Sequence, residues 1–242
     1  MRNTSQFLYE HGDVQHTIPY PCFTKTRPIE DKNNIIILLN FERHWKYVFN
    51  LSKIDKPFHK KKTIVIWRGT TTGNENRPGN RFSLIKKWYD RSKYIDVGFS
   101  FICQEKDAYN KYVKGSKSIK KLLQYKYLIC AEGNDVASGL KWMLNSQSVV
   151  LMPKPTIVSW FMEDHLVPFK HYVPIKDDWS DLLVMYKWCE NNQDKCQNII
   201  KHANNYVKRF IDEFDNGFAG MIHNEITRIY RKNISFDNKS QL

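Results

Sequence analysis

The amino-acid sequence predicts an α/β protein with parallel sheets, helices on their faces, and a division into two α/β halves. Short apolar runs of strand length alternate with segments of helical periodicity through most of the chain. A long amphipathic segment closes it, with Ile199, Ile200, Ala203, Tyr206, Val207, Phe210, Ile211 and Phe214 at 3.6-residue spacing. Between the halves lies a weakly patterned stretch, Gln104 to Lys117. It divides the chain into residues 1–110, an N-terminal half with an irregular leading segment, and residues 111–242, a C-terminal half ending in helices.

Taken in order, residues 1 to about 33 show little periodicity and include Pro19, Pro21 and Pro28, which predicts loop. Ile35–Leu39 and Thr63–Trp67 read as strands. The second ends at Arg68-Gly69 and a polar loop with Gly73, Pro78 and Gly79. Arg81–Asp90 reads as a helix with Phe82, Ile85, Trp88 and Tyr89 on one side, and Tyr94–Val97 as the next strand. Downstream, Ser118–Gln124, Ala137–Asn145 and Trp179–Cys189 read as helices, and Tyr127–Ala131, Ser148–Met152 and His171–Ile175 as strands. The helical pattern resumes at Phe218 after a break near Gly217. His171 and Tyr172 read as core residues.

Composition narrows the function classes. The 242 residues are 41% hydrophobic and 14% aromatic, which excludes a disordered, collagenous or coiled-coil chain. No run reaches the roughly 18–20 apolar residues of a membrane span. Met1–Gln6 leads into no apolar core of a signal peptide, which predicts a cytoplasmic location. Five cysteines without a C-x-x-C pair fit reduced thiols better than disulfides or a zinc site. The net charge of +13 favours phosphate-rich partners, without choosing among nucleic acid, anionic lipid and nucleotide-bearing substrates. The basic runs His59–Lys62 and Lys114–Lys121 read as solvated loops. No RNA-binding aromatic motif, zinc pattern or acidic metal cluster accompanies the charge, and no nucleic-acid partner is expected.

The most informative segment is Tyr125–Trp142, where a buried strand opens into a glycine-containing turn and a helix predicted to begin near Ala137. Such a turn aims free N–H groups and the positive end of a helix dipole at whatever lies above the strand. Gly133 and Gly139 permit close approach, Ser138 adds a hydroxyl, and Lys141 a cation. The spacing is not that of a P-loop, and an ordinary strand-to-helix turn contains the same residue types.

The surrounding residues add to this. Tyr125–Trp142, Ser148–Pro155, Trp160–Glu163, His171–Ile175 and Trp179–Leu182 closely resemble the CAP10-type glycosyltransferases of family 90. Phe23–Ile29, Arg43-His44 and Ile66–Thr70 agree, so that the resemblance runs from about Gly12 to Phe210 and is nearest the short bacterial branch. It implies a GT-B-like architecture of two Rossmann-like halves with a donor cleft between them, the first on the acceptor side and the second holding the nucleotide sugar. It further implies inverting transfer of a sugar, usually from a UDP-linked donor, with no metal or other cofactor. The acceptor it implies is a glycan or lipid-linked glycan in lipopolysaccharide, capsule or other surface polysaccharide synthesis; the net charge of +13, on its own, predicts peripheral contact with an anionic membrane.

Site residues follow from the same resemblance. Asp13 matches the general base, upstream of Lys25-Thr26, with His11, His16 and Glu42 as alternatives. Gly133, Asn134, Asp135, Ala137, Ser138 and Lys141 match the diphosphate-binding segment, although the arginine that follows the serine in eukaryotic members is Gly139 or Leu140 here. Arg68 and Gly69 match an R-G motif at the cleft, with pairing to a nearby carboxylate as the competing role for the arginine. Glu163 is placed to accept ribose hydroxyls, or else is solvated, and Lys25 and Arg27 stand on the acceptor side. Asp177-Asp178 reads as a helix start rather than a metal motif. A catalytically silent sugar- or nucleotide-binding relative is the second reading, and a basic nucleic-acid-binding module the third.

Overall fold

The computed structural model describes residues 8–31, 36–39, 45–104, 106–211 and 218–233. The apolar runs assemble into one five-stranded parallel sheet. Its strands are β5 (Lys62–Gly69), β6 (Ile95–Phe99), β7 (Tyr125–Ile129), β8 (Val149–Met152) and β10 (Val173–Pro174), in the spatial order β10-β8-β7-β5-β6. Successive side chains of each strand point to opposite faces, and both faces are covered. On one, Val65, Trp67, Val97, Tyr127, Ile129 and Leu151 pack against Phe82, Leu84 and Ile85 of α1 (Arg81–Trp88) and Leu182, Tyr186 and Cys189 of α4 (Leu182–Asn191). On the other, Ile66, Leu128, Val150 and Met152 meet Leu122 of α2 (Ile119–Leu122), then Leu140, Trp142 and Leu144 of α3 (Leu140–Leu144). The long α5 (Gln193–Ile211) serves both. Cys196, Ile199 and Ile200 belong to the first cluster, and Ala203, Tyr206, Val207 and Phe210 to the second. A last helix, α6 (Phe218–Asn233), packs Ile222 and Ile226 against the second cluster.

Four short strands form two smaller sheets. β1 (Tyr9–Glu10), β2 (Cys22–Thr24) and β4 (Ile36–Leu38) make a parallel trio in the order β1-β2-β4, and β3 (Thr26–Pro28) pairs antiparallel with β9 (Ile157–Ser159). The β3–β9 pair ties the leading segment to the body, with Ile29 N–H donating to Thr156 O at 2.9 Å.

The α/β class and the parallel pairing agree with the sequence reading, and three expectations are corrected. Residues 8–31 were expected as loop but carry three strands, too short and proline-flanked to show a period. The division at 110/111 falls between β6 and β7, which flank β5 in one continuous sheet, so the sheet crosses it. The weakly patterned stretch there is a connection whose 3-10 turn, Asp107–Tyr112, buries Tyr109 in the first cluster. The third helix starts at Leu140 rather than Ala137, with Gly139 as its N-cap. Glu42, Arg43, His44, Phe214 and Gly217 lie outside the described residues. No helix among the described residues is long and apolar enough to cross a membrane.

The start of α1 is held by its loop. Asn80 caps the helix by accepting from Ser83 N–H at 2.8 Å, and its amide donates to the carbonyls of Glu75 (2.8 Å) and Arg77 (2.7 Å). From the β10–α4 connection, Trp179 Nε1 donates to Asn80 O at 3.1 Å and Asp177 O accepts from Gly79 N–H at 2.9 Å. Replacing an asparagine N-cap by alanine costs about 1 kcal/mol in general. Asn80→Ala, which also releases two carbonyls, should lose at least about that much. The check is a lower urea midpoint with unchanged slope.

Candidate functional site

In the sheet order β10-β8-β7-β5-β6 the chain leaves β5 toward β6 on one side and returns through β7 on the other. This is a topological switch point, where the loops beyond the carboxyl ends of two adjacent strands part and leave a crevice. A cleft of about 440 Å3 lies between the loops that follow β5 and β7, lined by Thr70, Thr72 and Arg81 from one side and Gly133, Asn134, Asp135, Ser138 and Gly139 from the other. Asp13 and Lys25 of the leading segment, with Tyr47, Ile119 and Trp142, complete it.

The two loops touch backbone to backbone. Gly73 has φ +108°, and a Cβ there would lie 2.8 Å from Gly133 O. A Cβ on Gly133 would lie 2.9 Å from both Arg81 Nη2 and Thr72 Oγ1. Gly73 N–H donates to Asn134 Oδ1 at 2.9 Å, and Arg77 donates to the carbonyls of Gly133 (3.2 Å) and Asn134 (3.0 Å).

Arg81 is the cation that this arrangement places at the cleft. It is partly buried, its guanidinium lies 5.9 Å from the Trp67 ring, and it donates to Ala131 O, Thr70 O and Thr72 Oγ1. Burial pulls it down to about 10, which leaves it charged at neutral pH. No carboxylate among the described residues is within ion-pair distance of it. An unpaired guanidinium facing a cleft is suited to a phosphate or a carboxylate. The sequence reading passed over Arg81, yet it stands at the first position of a helix, where the dipole disfavours a cation. That violation is the signal that could have found it.

At the rim, Lys25 lies between two carboxylates. Its ammonium pairs with Asp13 and, at 2.5 Å, with Asp135 Oδ2. Lys25 and Asp135 are buried, and Asp13 keeps a third of its side chain exposed. Partial burial acts to raise the Asp13 carboxyl, but the bond and charge of Lys25 outweigh it and hold it below the ordinary carboxylate range. Asp135 goes the other way, pushed up by deeper burial and by the negative charge of Asp13 against the pull of Lys25. The result is an accessible, ionised carboxylate at the mouth of the cleft.

Asp13, Lys25, Gly133, Asn134, Asp135 and Ser138 are thus brought together. Ala137 and Glu163 line a small adjoining cavity with Cys130, Glu132, Pro78 and Pro153. Glu163 is buried there, and its carboxylate accepts from Ser159 N–H and Oγ, both at 2.7 Å. Solvation therefore does not describe it, since each carboxylate oxygen is engaged by Ser159.

Four residues assigned to the cleft from sequence stand elsewhere. Arg68 is on the opposite face of β5 from Trp67 and makes a bidentate pair with Asp96 on β6 at 2.7 and 2.9 Å, the competing role named from sequence. Gly69 beside it lines no part of the cleft and serves packing, since a Cβ there would meet the Trp67 ring at 2.5 Å. Arg27 turns back to the carbonyls of Pro28 and Asp31. Lys141 is buried beneath the loop, its ammonium 5.4 Å from the Trp45 ring and 5.0 Å from the Phe161 ring, and desolvation lowers its pKa. It fails to reach the cleft because α3 begins three residues late. His11 and His16 are exposed and stand outside the cleft lining. Among the described residues no group of three or more His, Cys, Asp or Glu is arranged to hold a metal ion.

A parallel α/β sheet with an unpaired guanidinium at its switch point and an ionised carboxylate at the rim is an arrangement suited to an anionic ligand. A family model described as glycosyl transferase family 90 matches residues 9–216, and the chain belongs to that family. O-glucosyltransferase LpsA of Dichelobacter nodosus is 33% identical over 207 residues, which cover 85% of this chain and 61% of that protein. Protein O-glucosyltransferase 3 of Homo sapiens is 30% identical over 134 residues, covering 54% and 26% respectively. The chain therefore spans about three-fifths of the bacterial relative and a quarter of the human one. The UDP complex of Anabaena Alr3699/HepE superposes over 81% of this chain and 54% of that one with TM-score 0.45 and 10% identity, too distant to carry an argument.

Removing the lysine while keeping its bulk isolates its effect on the rim. In Lys25→Met the Asp13 carboxyl loses its cation and stays beside Asp135, so its pKa should rise. Carboxyl-carbon NMR titration of the variant against the parent checks the direction.

Proposed function

We propose that this chain is an inverting glycosyltransferase that moves a sugar from a UDP-linked donor to a hydroxyl of a glycan acceptor, with Asp13 as general base and Arg81 as the main holder of the diphosphate. The observation that carries the reading is the pairing, in one cleft, of an accessible ionised carboxylate with an unpaired cation. Inverting transfer needs the first to take the acceptor's proton and the second to hold the charge that grows on the departing nucleotide. Membership of family 90 supports sugar transfer, and the names of the bacterial and human relatives support glucose as the sugar.

In the proposed step the acceptor hydroxyl donates to Asp13 and its oxygen bonds to the anomeric carbon from the face opposite the leaving group. The bond from that carbon to the diphosphate breaks, and UDP departs with the electron pair. Arg81 and the Thr72 and Ser138 hydroxyls stabilise the leaving phosphate. As Asp13 gains the proton its charge is lost, and Lys25 stays paired through Asp135, so no buried ammonium is left without a partner. The charge on the leaving group is met by Arg81 and hydroxyls, with no metal in the scheme. The acceptor belongs to a surface polysaccharide or lipopolysaccharide assembled at the cytoplasmic face, and the +13 charge favours an anionic membrane there.

Asp13→Asn should keep UDP affinity within about twofold and reduce transfer by at least about a hundredfold, the contribution expected of a general base. Arg81→Ala should weaken UDP binding about tenfold or more, from loss of charge-assisted bonds. Both are read by calorimetric titration with UDP in the presence of EDTA and by release of UDP from the donor. Full transfer by Asp13→Asn would move the base elsewhere. UDP binding without transfer by the parent on any glycan would favour the catalytically silent reading.

A further inference from the structure

The loop entering β10 and the outer sides of α4 and α5 enclose an open cavity of about 520 Å3 lined by Phe169, Lys170, Trp188, Lys195, Asn198 and His202. It shares no lining residue with the cleft. Phe169 and Lys170 precede the amino end of β10, whereas the cleft loops follow the carboxyl ends of β5 and β7, so the two sites lie at opposite ends of a parallel sheet.

Phe169 is half exposed and has φ +57°. A left-handed conformation is unfavourable for a bulky residue, and the exposed half of its ring recovers nothing from burial. Its ring stands edge-on to Trp188, with centroids 5.2 Å apart and planes at 62°, so the two rings form a corner. Lys195 Nζ lies 5.9 Å from the Trp188 ring. Lys170, Lys195 and His202 have no carboxylate partner among the described residues, and no acidic residue lines the cavity. Beside the cavity, burial holds His171 down to about 4, and the charges of Lys170, His202 and Arg209 add to it.

We propose that this cavity is a second carbohydrate site, taking a pyranose that carries a carboxylate or phosphate. The apolar face of such a sugar packs on an aromatic ring, its acidic group meets Lys170 and Lys195, and a hydroxyl reaches the Asn198 amide. Nucleic acid fits less well, because the rings make a corner rather than successive stacking platforms and the cations gather in one hollow rather than along a track. A bilayer fits less well because the surface is concave. The inference stands on these residues and not on the transferase reading. For an enzyme acting on glycans, it would grip the acceptor chain away from the reacting hydroxyl.

The test is calorimetric titration of the whole chain with a tetrasaccharide of alternating glucuronate and N-acetylglucosamine, beside neutral cellotetraose. The variants are Phe169→Ala and the double change Lys170→Glu with Lys195→Glu, all at exposed positions, with folding checked by circular dichroism. Expected are binding of the acidic tetrasaccharide by the parent, at least tenfold weaker binding by each variant and by cellotetraose, and UDP affinity unchanged throughout. No binding of the acidic sugar by the parent, or equal binding by the variants, overturns the proposal. So does binding of phosphatidylglycerol vesicles or of a ten-nucleotide RNA that the variants lose while the sugar stays unbound. Absence of UDP binding in the parent would count against the transferase alone, because the sugar titration does not involve the cleft.

Discussion

The structure turns on a contact without side chains, the meeting of Gly73 with the Gly133 carbonyl. β5 and β7 are neighbours in the sheet, and their following loops must cross the same small region before the chain turns to α1 and α3. The loops pass within van der Waals distance because one has no Cβ and a positive φ at the crossing and the other has no Cβ facing Arg81 and Thr72. Everything in the cleft inherits its position from that crossing. Arg77 and the Asn134 amide lace it from either side, and Arg81 comes to the crevice because its helix starts where the crossing ends.

Charge in the cleft is arranged by unequal pairing. The cations from the leading segment and from α3 are accounted for, Lys25 by two carboxylates and Lys141 by two aromatic rings beneath the loop, with the charges of Glu163 and Asp135 nearby. Among the described residues Arg81 has neutral acceptors, two carbonyls and two hydroxyls. A guanidinium satisfied in hydrogen bonds but not in charge keeps a field directed at the cleft without the cost of an orphaned donor. No arginine follows Ser138, and Arg81 brings a cation to the cleft from the other loop instead.

Much of the fold was legible from local pattern, for reasons visible in particular elements. β5, β7 and β8 are buried on both faces and show as apolar runs, and α5 packs one stripe against two clusters and shows a 3.6-residue period. What escaped depends on partners distant in the chain. β1, β2 and β3 have two or three residues each and are strands only because β2 finds β4 and β3 finds β9. The expected division failed because nothing near residue 110 encodes that β7 will pair with β5. In the site, the Gly133–Ser138 turn was visible as a glycine-containing strand-to-helix turn, whereas Asp13 and Lys25 were singled out through the family resemblance. Arg68 was misplaced because its partner Asp96 is set by register between strands, and Lys141 because the helix start decides which way its side chain leaves.

The double membership of α5 has a consequence for how the molecule comes apart. Its amino-terminal half is embedded in the layer beneath α1 and α4, and its carboxyl-terminal half in the layer with α3. Peeling either layer from the sheet therefore strips the same rod from the other, so the two layers share one free energy of opening. Local breathing is confined to segments outside the rod's grip, such as the leading strands, which are anchored through the β3–β9 pair and the Lys25 ion pairs. The wall of the cleft formed by the leading segment can thus loosen while the sheet stays shut, and opening of the cleft need not involve global unfolding.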